Sequence, residues 1–168
     1  LQVENDIVPA ITAFTGEVYR GLAVDQWSQE NFEFAQNEIR ILSGLYGILK
    51  PLDLLYPYRL EMGTKWAVTP KQTNLYKFWG SKLSDYLNKE MSKDEVIVNL
   101  ASTEYFKAID QKVLKSEIIT PVFKEFKNGE YKVLMTYAKN ARGKMARYII
   151  ENRLVDVEQI KLFNEDRY

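Results

Sequence analysis

The residues able to do chemistry fall into four short stretches, and the two strongest suit anions. Leu42-Ser43-Gly44-Leu45-Tyr46-Gly47-Ile48-Leu49-Lys50-Pro51 sets two glycines between apolar residues, with Lys50 just beyond. Backbone N–H groups of such a turn can reach phosphate oxygens, because no β-carbon blocks the approach. A helix-hairpin-helix uses a glycine hairpin in this way, with one residue between its glycines where this chain has Leu45 and Tyr46. A tight turn joining two buried elements explains the same string without a ligand. The second stretch, Lys139 to Arg153, carries five basic residues and one acid, Glu151. On a helix, Ala141, Met145, Tyr148 and Ile149 share one face, with Lys139, Arg142 and Arg153 beside it and Lys144 and Arg147 further out. Cations at the border of a buried face hold an anion more strongly than fully hydrated ones. The plainer alternative is a solvated helix face whose long stems cover the core. Gly143 inside that helix costs ~1 kcal/mol relative to alanine; a close approach of another backbone, or a late helix start, would explain it.

Two weaker stretches follow. In Tyr56-Pro57-Tyr58-Arg59-Leu60-Glu61-Met62-Gly63, Arg59 and Glu61 share one side of an extended segment. The Arg59 fork suits paired oxygens of a phosphate or carboxylate, and a surface ion pair is the simpler reading. In Asn99-Leu100-Ala101-Ser102-Thr103-Glu104-Tyr105-Phe106, a buried strand gives way to small polar residues. Open α/β sheets bind ligands beyond the carboxyl ends of their strands. Asn99, Ser102 and Glu104 would then line a pocket, together with Arg59 and Arg142. Helix capping by Ser102 or Thr103 accounts for the same residues.

Composition narrows the chemistry. The chain has no cysteine and no histidine. Thiolate nucleophiles, Ser-His-Asp triads and Cys- or His-ligated metals are excluded. A metal here would be a hard ion on carboxylates, and neither a metal nor a cofactor is expected. The absence of cysteine also fits a reducing compartment. Lys+Arg and Asp+Glu both number 23, so any basic surface must be local. At 46% hydrophobic residues the chain can bury a core and is not disordered. No apolar run approaches the ~18 residues of a membrane span. The 168 residues suit one mixed domain over 1–168. Because the chain begins at Leu1 rather than Met, it is read as a piece of a longer protein.

The elements that must position these groups alternate. Ala10 to Phe14 reads as a strand, and Ser28 caps a helix through about Asn37. Ile39 to Leu42 either continues that helix or forms a strand. Prolines 51, 57 and 70 make residues 51–72 loops and turns. Residues 74–91 have helical spacing, and 96–100 reads as a buried strand. Asn128-Gly129 suits the primed turn of an antiparallel hairpin over about 117–137, with Pro121 a break or edge position. A helix covers 138–154, and a last short one starts at Asp156. The fold class is α/β or α+β, a mixed sheet with at least one antiparallel hairpin and surrounding helices.

Four strings, LSGLYGILKPLDLLYPYRLEMG, YKFWG, VIVNLAS-EYFK and YAKNARGKMARYIIENRL, together resemble the YaaA family of bacterial proteins. The resemblance runs in order from about Ile11 to Phe163. It implies a cytoplasmic protein of peroxide-stress resistance, linked with lowering available iron. It also implies DNA binding and a helix-hairpin-helix in an unusual α/β fold. Gly44, Leu45, Tyr46 and Gly47 would be the hairpin and Lys50 a phosphate contact. Lys139, Arg142 and Arg147 carry over as basic-surface candidates, with Lys144 beside them. Family members start with a strand and an I-S-P-A-K-type segment that this chain lacks, and Arg167 stands where glycine is expected. DNA, held by its phosphates, is therefore the expected partner. The alternative is an enzyme acting on a small phosphorylated or nucleotide-like anion.

Overall fold

A computed structural model describes residues 6–166 and 168; the expectation at Arg167 lies outside them. In chain order the elements are β1 (Val8–Pro9), α1 (Ala10–Ala13), α2 (Glu17–Leu22), α3 (Gln29–Glu38), β2 (Ile41–Ser43), β3 (Gly47–Leu49), β4 (Leu54–Leu55), α4 (Leu75–Trp79), α5 (Lys82–Glu90), β5 (Ile97–Val98), α6 (Thr103–Phe106), β6 (Ile118–Ile119), β7 (Glu125–Lys127), β8 (Glu130–Lys132) and α7 (Met135–Glu151). Short 3-10 turns cover Val24–Gln26 and Val157–Leu162. The strands pair in twos: β1 with β4, β2 with β3 and β7 with β8 run antiparallel, and β5 with β6 runs parallel. The class is mixed helix and strand, of the α+β kind.

Several elements follow directly from their residues. Ser28 accepts from the Asn31 N–H and caps α3. Asp156 does the same for Glu158 at the last turn. Asn128 and Gly129 take φ of 53° and 84°, the primed-turn geometry their sequence suits. Others depart from expectation. Ala10 to Ala13 is helical rather than a strand: the run is too short for its period to decide, and Pro9 sets an entry φ of −61°. Residues 74–91 form two helices, because Gly80 turns the chain with φ 51°. The hairpin is shorter than 117–137. Ile118 and Ile119 pair with β5 instead, Pro121 separates β6 from β7, and α7 already starts at Met135.

Three apolar clusters form the interior. One gathers Ile11, Leu22, Trp27, Leu55 and Ile150. A second gathers Met62, Leu75, Leu83, Leu87 and Phe106. The third sets Phe123 and Phe163 against Ala141 and Met145 of α7. Full burial of side chains such as Met62 and Leu75 stabilises by about 1.5–3 kcal/mol each. Helices α2 and α7 meet glycine to backbone. A β-carbon at Gly143 would overlap the Val18 carbonyl, and one at Gly21 would overlap that of Asn140. Close backbone approach is therefore the reason for glycine in the basic helix. Among the described residues no helix is long and apolar enough to cross a membrane.

Candidate functional site

The glycine turn joins β2 to β3, so strands, not helices, flank it. The helix-hairpin-helix expectation is corrected at this position. Gly44 and Gly47 are buried, while Leu45 and Tyr46 between them are exposed. The turn's polar groups are engaged from within. Tyr46 N–H donates to Ser43 Oγ at 2.9 Å, and Trp79 Nε1 donates to the Gly44 carbonyl at 3.0 Å. Ser43 Oγ also bonds the Tyr58 hydroxyl. Glycine is required here by packing: a β-carbon on Gly44 would come within 2.6 Å of the Leu60 carbonyl oxygen. Lys50 is also occupied. Its Nζ lies 3.1 Å from Glu90, which Arg40 meets at 2.9 Å. Lys50, with Arg40 second, holds the Glu90 carboxyl below the usual carboxylate range.

Beside this turn lies a group of phenols. Tyr58 meets Tyr46 and Phe14 edge to face, and Phe14 stacks on Tyr19. Burial, and then the neighbouring phenols, push Tyr19 and Tyr105 above the ordinary tyrosine value. Burial likewise raises Tyr58, against the Ser43 hydrogen bond. These hydroxyls stay protonated at neutral pH and act as hydrogen-bonding groups rather than bases. Single tyrosines spread between residues 19 and 105 give no sequence signal for such a cluster.

The basic helix divides into two parts. Lys144 pairs with Asp166. Arg147 meets Glu165 at 2.6 Å and Glu151 at 3.9 Å, and Arg153 pairs with Glu30. These cations hold the chain together. Arg142 and Lys139, one turn earlier on α7, meet no carboxylate among the described residues. Arg142 is half-buried; its Nη1 donates to Leu100 O and its Nε to Ala138 O, both at 3.4 Å. Its Nη2 has no protein partner among the described residues. Burial lowers the Arg142 pKa from its ordinary value, and the group stays a cation at neutral pH. Lys139 is exposed, three residues back and hence on the same side of the helix.

Arg142 reaches the carboxyl end of the parallel pair β5–β6. Asn99 N–H bonds Ile119 O at 2.7 Å, and this register sets the Asn99 side chain against Thr120. Asn99 Nδ2 donates to Thr120 Oγ1 at 3.2 Å, and Asn99 Oδ1 accepts from the Ala101 N–H at 3.1 Å. Ser102 caps α6 through the Tyr105 N–H. An open cleft of about 390 Å³ beside them is lined by Asn99, Thr103, Lys107, Gln111 and Thr120, among others. The structure thus brings Asn99, Ser102 and Arg142 to one strand end and leaves the other proposed members elsewhere. Glu104 turns to Gly63, accepting its N–H at 2.8 Å. Arg59 and Glu61 form an exposed ion pair at 3.3 Å. Sequence reading missed Thr120, Lys107 and Gln111, and took Thr103 only as a possible helix cap. Only Thr120 carried a hint, as the polar residue closing a short apolar strand before Pro121.

The fold and these groups define a class: a mixed α+β protein with a half-buried arginine at a strand end, an exposed lysine one turn away on the same helix, neither meeting a carboxylate among the described residues, and a neutral, phenol-lined turn. Among the described residues no cluster of carboxylates could hold a metal ion. A sequence profile described as peroxide stress protein YaaA matches residues 1–168, and the chain belongs to that family. It is similar to a UPF0246 protein of Saccharophagus degradans (strain 2-40), 57% identical over 162 residues, 95% of this chain and 63% of the relative. A UPF0246 protein of Colwellia psychrerythraea (strain 34H) is 57% identical over 157 residues, covering 92% of this chain and 61% of its own length. One from Aliivibrio fischeri (strain MJ11) is 54% identical over 162 residues, 95% and 62% of the two chains. The chain therefore spans a little over three fifths of these relatives.

Proposed function

We propose that this chain binds duplex DNA through its phosphates, with Arg142 and Lys139 as the direct contacts. The observation that carries this reading is the Arg142 guanidinium. It is half-buried and, among the described residues, meets no carboxylate and is held only by two long bonds to backbone carbonyls. Partial desolvation makes such a cation a better partner for a phosphate than a hydrated one. Asn99, Ser102 and Thr120 add neutral polar groups at the same strand end. Lys50, Lys144 and Arg147 leave the contact set because their charges are already paired inside the fold, and the Gly44–Gly47 turn leaves it because both glycines are buried and the Tyr46 N–H is bonded to Ser43.

Fluorescence anisotropy with a labelled duplex tests this across a salt series. Each phosphate contact contributes about 0.9 to the slope of log K against log salt. Arg142→Ala with Lys139→Ala should lower affinity for all sequences alike and reduce that slope by roughly 2. Arg147→Ala should lower stability by about 1–2 kcal/mol through loss of the Glu165 bond and leave the slope intact. An unchanged slope in the double variant removes the assignment.

The cleft beside Asn99 favours a second reading, a small phosphorylated ligand. Its volume of about 390 Å³ lies in the range of ordinary ligand sites. Under that reading, a nucleoside monophosphate raises the melting temperature of the chain, and Thr120→Val with Lys107→Ala abolishes the rise. No shift at millimolar ligand rejects it.

A further inference from the structure

The β7–β8 hairpin is an unfinished sheet. One side of it is anchored, since Glu125 is buried. The other side shows Phe126 and Tyr131, which are 66% and 69% exposed with ring centroids 5.2 Å apart. Val122, Val133 and Met135, close by in the chain, are exposed as well. An aromatic pair across a hairpin stabilises it, yet two strands alone are marginal in water and need a third or a covering layer.

The backbone points the same way. Lys127 and Glu130 flank the two-residue turn and face each other across the ladder. Bonded and non-bonded pairs alternate in an antiparallel ladder. With Lys127–Glu130 bonded beside the turn, Phe126–Tyr131 is the non-bonded pair. The N–H and C=O groups of Phe126 and Tyr131 therefore point outward along the two free edges. Among the described residues neither N–H donates to another backbone carbonyl outside the strands. Exposed edges joined to apolar side chains are templates for an added strand.

We propose that this hairpin face is an interface for an extended, strand-forming segment from the part of the family's chain that the match does not reach. Between 37% and 39% of each relative lies outside the matched stretch, ample length for one strand and its approach. The segment adds to the β7 or the β8 edge and sets apolar side chains on Phe126, Tyr131 and Val133. The 168 residues then fold as a scaffold whose last sheet is completed from outside them.

Hydrogen exchange tests this on the chain alone and on a chimera carrying the unmatched segments of the Saccharophagus degradans relative. In the chain alone, the Phe126 and Tyr131 amides should exchange fast. In the chimera one of the two should slow at least a hundredfold, independent of protein concentration. Phe126→Ser with Tyr131→Ser should lower the melting temperature of the chimera and barely move that of the chain alone. Adding the segments as separate peptides gives the same readout where the chimera does not fold. Equal exchange in both forms overturns the proposal. So does protection that grows with protein concentration, which marks a second copy, or protection that arises only with a single-stranded oligonucleotide.

Discussion

Gly143→Ala should destabilise the chain by at least about 3 kcal/mol, the reverse of what the substitution does in an ordinary helix. Alanine normally favours a helix interior by ~1 kcal/mol over glycine. At this position the new methyl would overlap the Val18 carbonyl oxygen and lie 2.9 Å from the Leu22 backbone nitrogen. Both obstacles are backbone, so no side chain can swing aside. The helices must separate, and Leu22 of α2 and Ile150 of α7, buried in one cluster with Ala146 beside them, lose their packing together. Overpacking typically costs 1–3 kcal/mol; a main-chain obstacle between two helices belongs at or above the top of that range. Total stability of a domain is only about 5–15 kcal/mol, so the urea midpoint should fall by a large fraction. Gly21→Ala should behave alike, since its methyl would meet the Asn140 carbonyl and come within 2.9 Å of the Lys144 nitrogen. A midpoint that holds or rises in either variant contradicts the described helix contact.

Gly47→Ala and Gly129→Ala should separate by about 1–3 kcal/mol, although both glycines sit at positive φ, 79° and 84°. The left-handed conformation costs a β-carbon-bearing residue about 1–2 kcal/mol at either site. At Gly129 nothing else lies within 4 Å, and that is the whole penalty. At Gly47 the methyl would stand 2.8 Å from Trp79 Cη2 and 3.0 Å from Leu83 Cδ2. The indole cannot retreat freely, because its Nε1 is bonded to the Gly44 carbonyl. Overpacking therefore adds to the backbone strain. Parallel chemical denaturation of the two variants measures the gap, and equal losses contradict the close packing of Trp79 on the turn.

What the residues reveal unaided depends on how local the cause is. Ser28 and Asn128-Gly129 each act within a few residues of themselves, and their capping and turn roles could be read directly; Gly143 left a close approach and a late helix start open, and Val18, from far earlier in the chain, decides between them. The glycine string at 44–47 was ambiguous because the same residues serve a phosphate nest or a packed turn. Only Trp79 and Leu60, contributed from later in the chain, decide between them. The basic helix posed the same problem in electrostatic form. Lysine and arginine positions are visible in the sequence, and so is the scarcity of local acids, Glu151 alone. The carboxylates that neutralise Lys144, Arg147 and Arg153 come from Asp166, Glu165 and Glu30, at separations no periodicity reports. Parallel pairing of β5 with β6 is likewise non-local, and without it Asn99 and Thr120 have no reason to be associated.

Glu165 and Asp166 hold the positions on Arg147 and Lys144 that phosphate oxygens would otherwise take. This acidic turn is in effect a resident counter-ion, covalently tethered and so present at high local concentration. A free polyanion must displace it to gain those two cations, whereas Arg142 and Lys139 meet no carboxylate among the described residues that would have to be exchanged. Under the proposed DNA reading, affinity for nucleic acid would thereby be kept moderate and focused on one end of α7; a charge that looks generous in the sequence is rationed by its own neighbours.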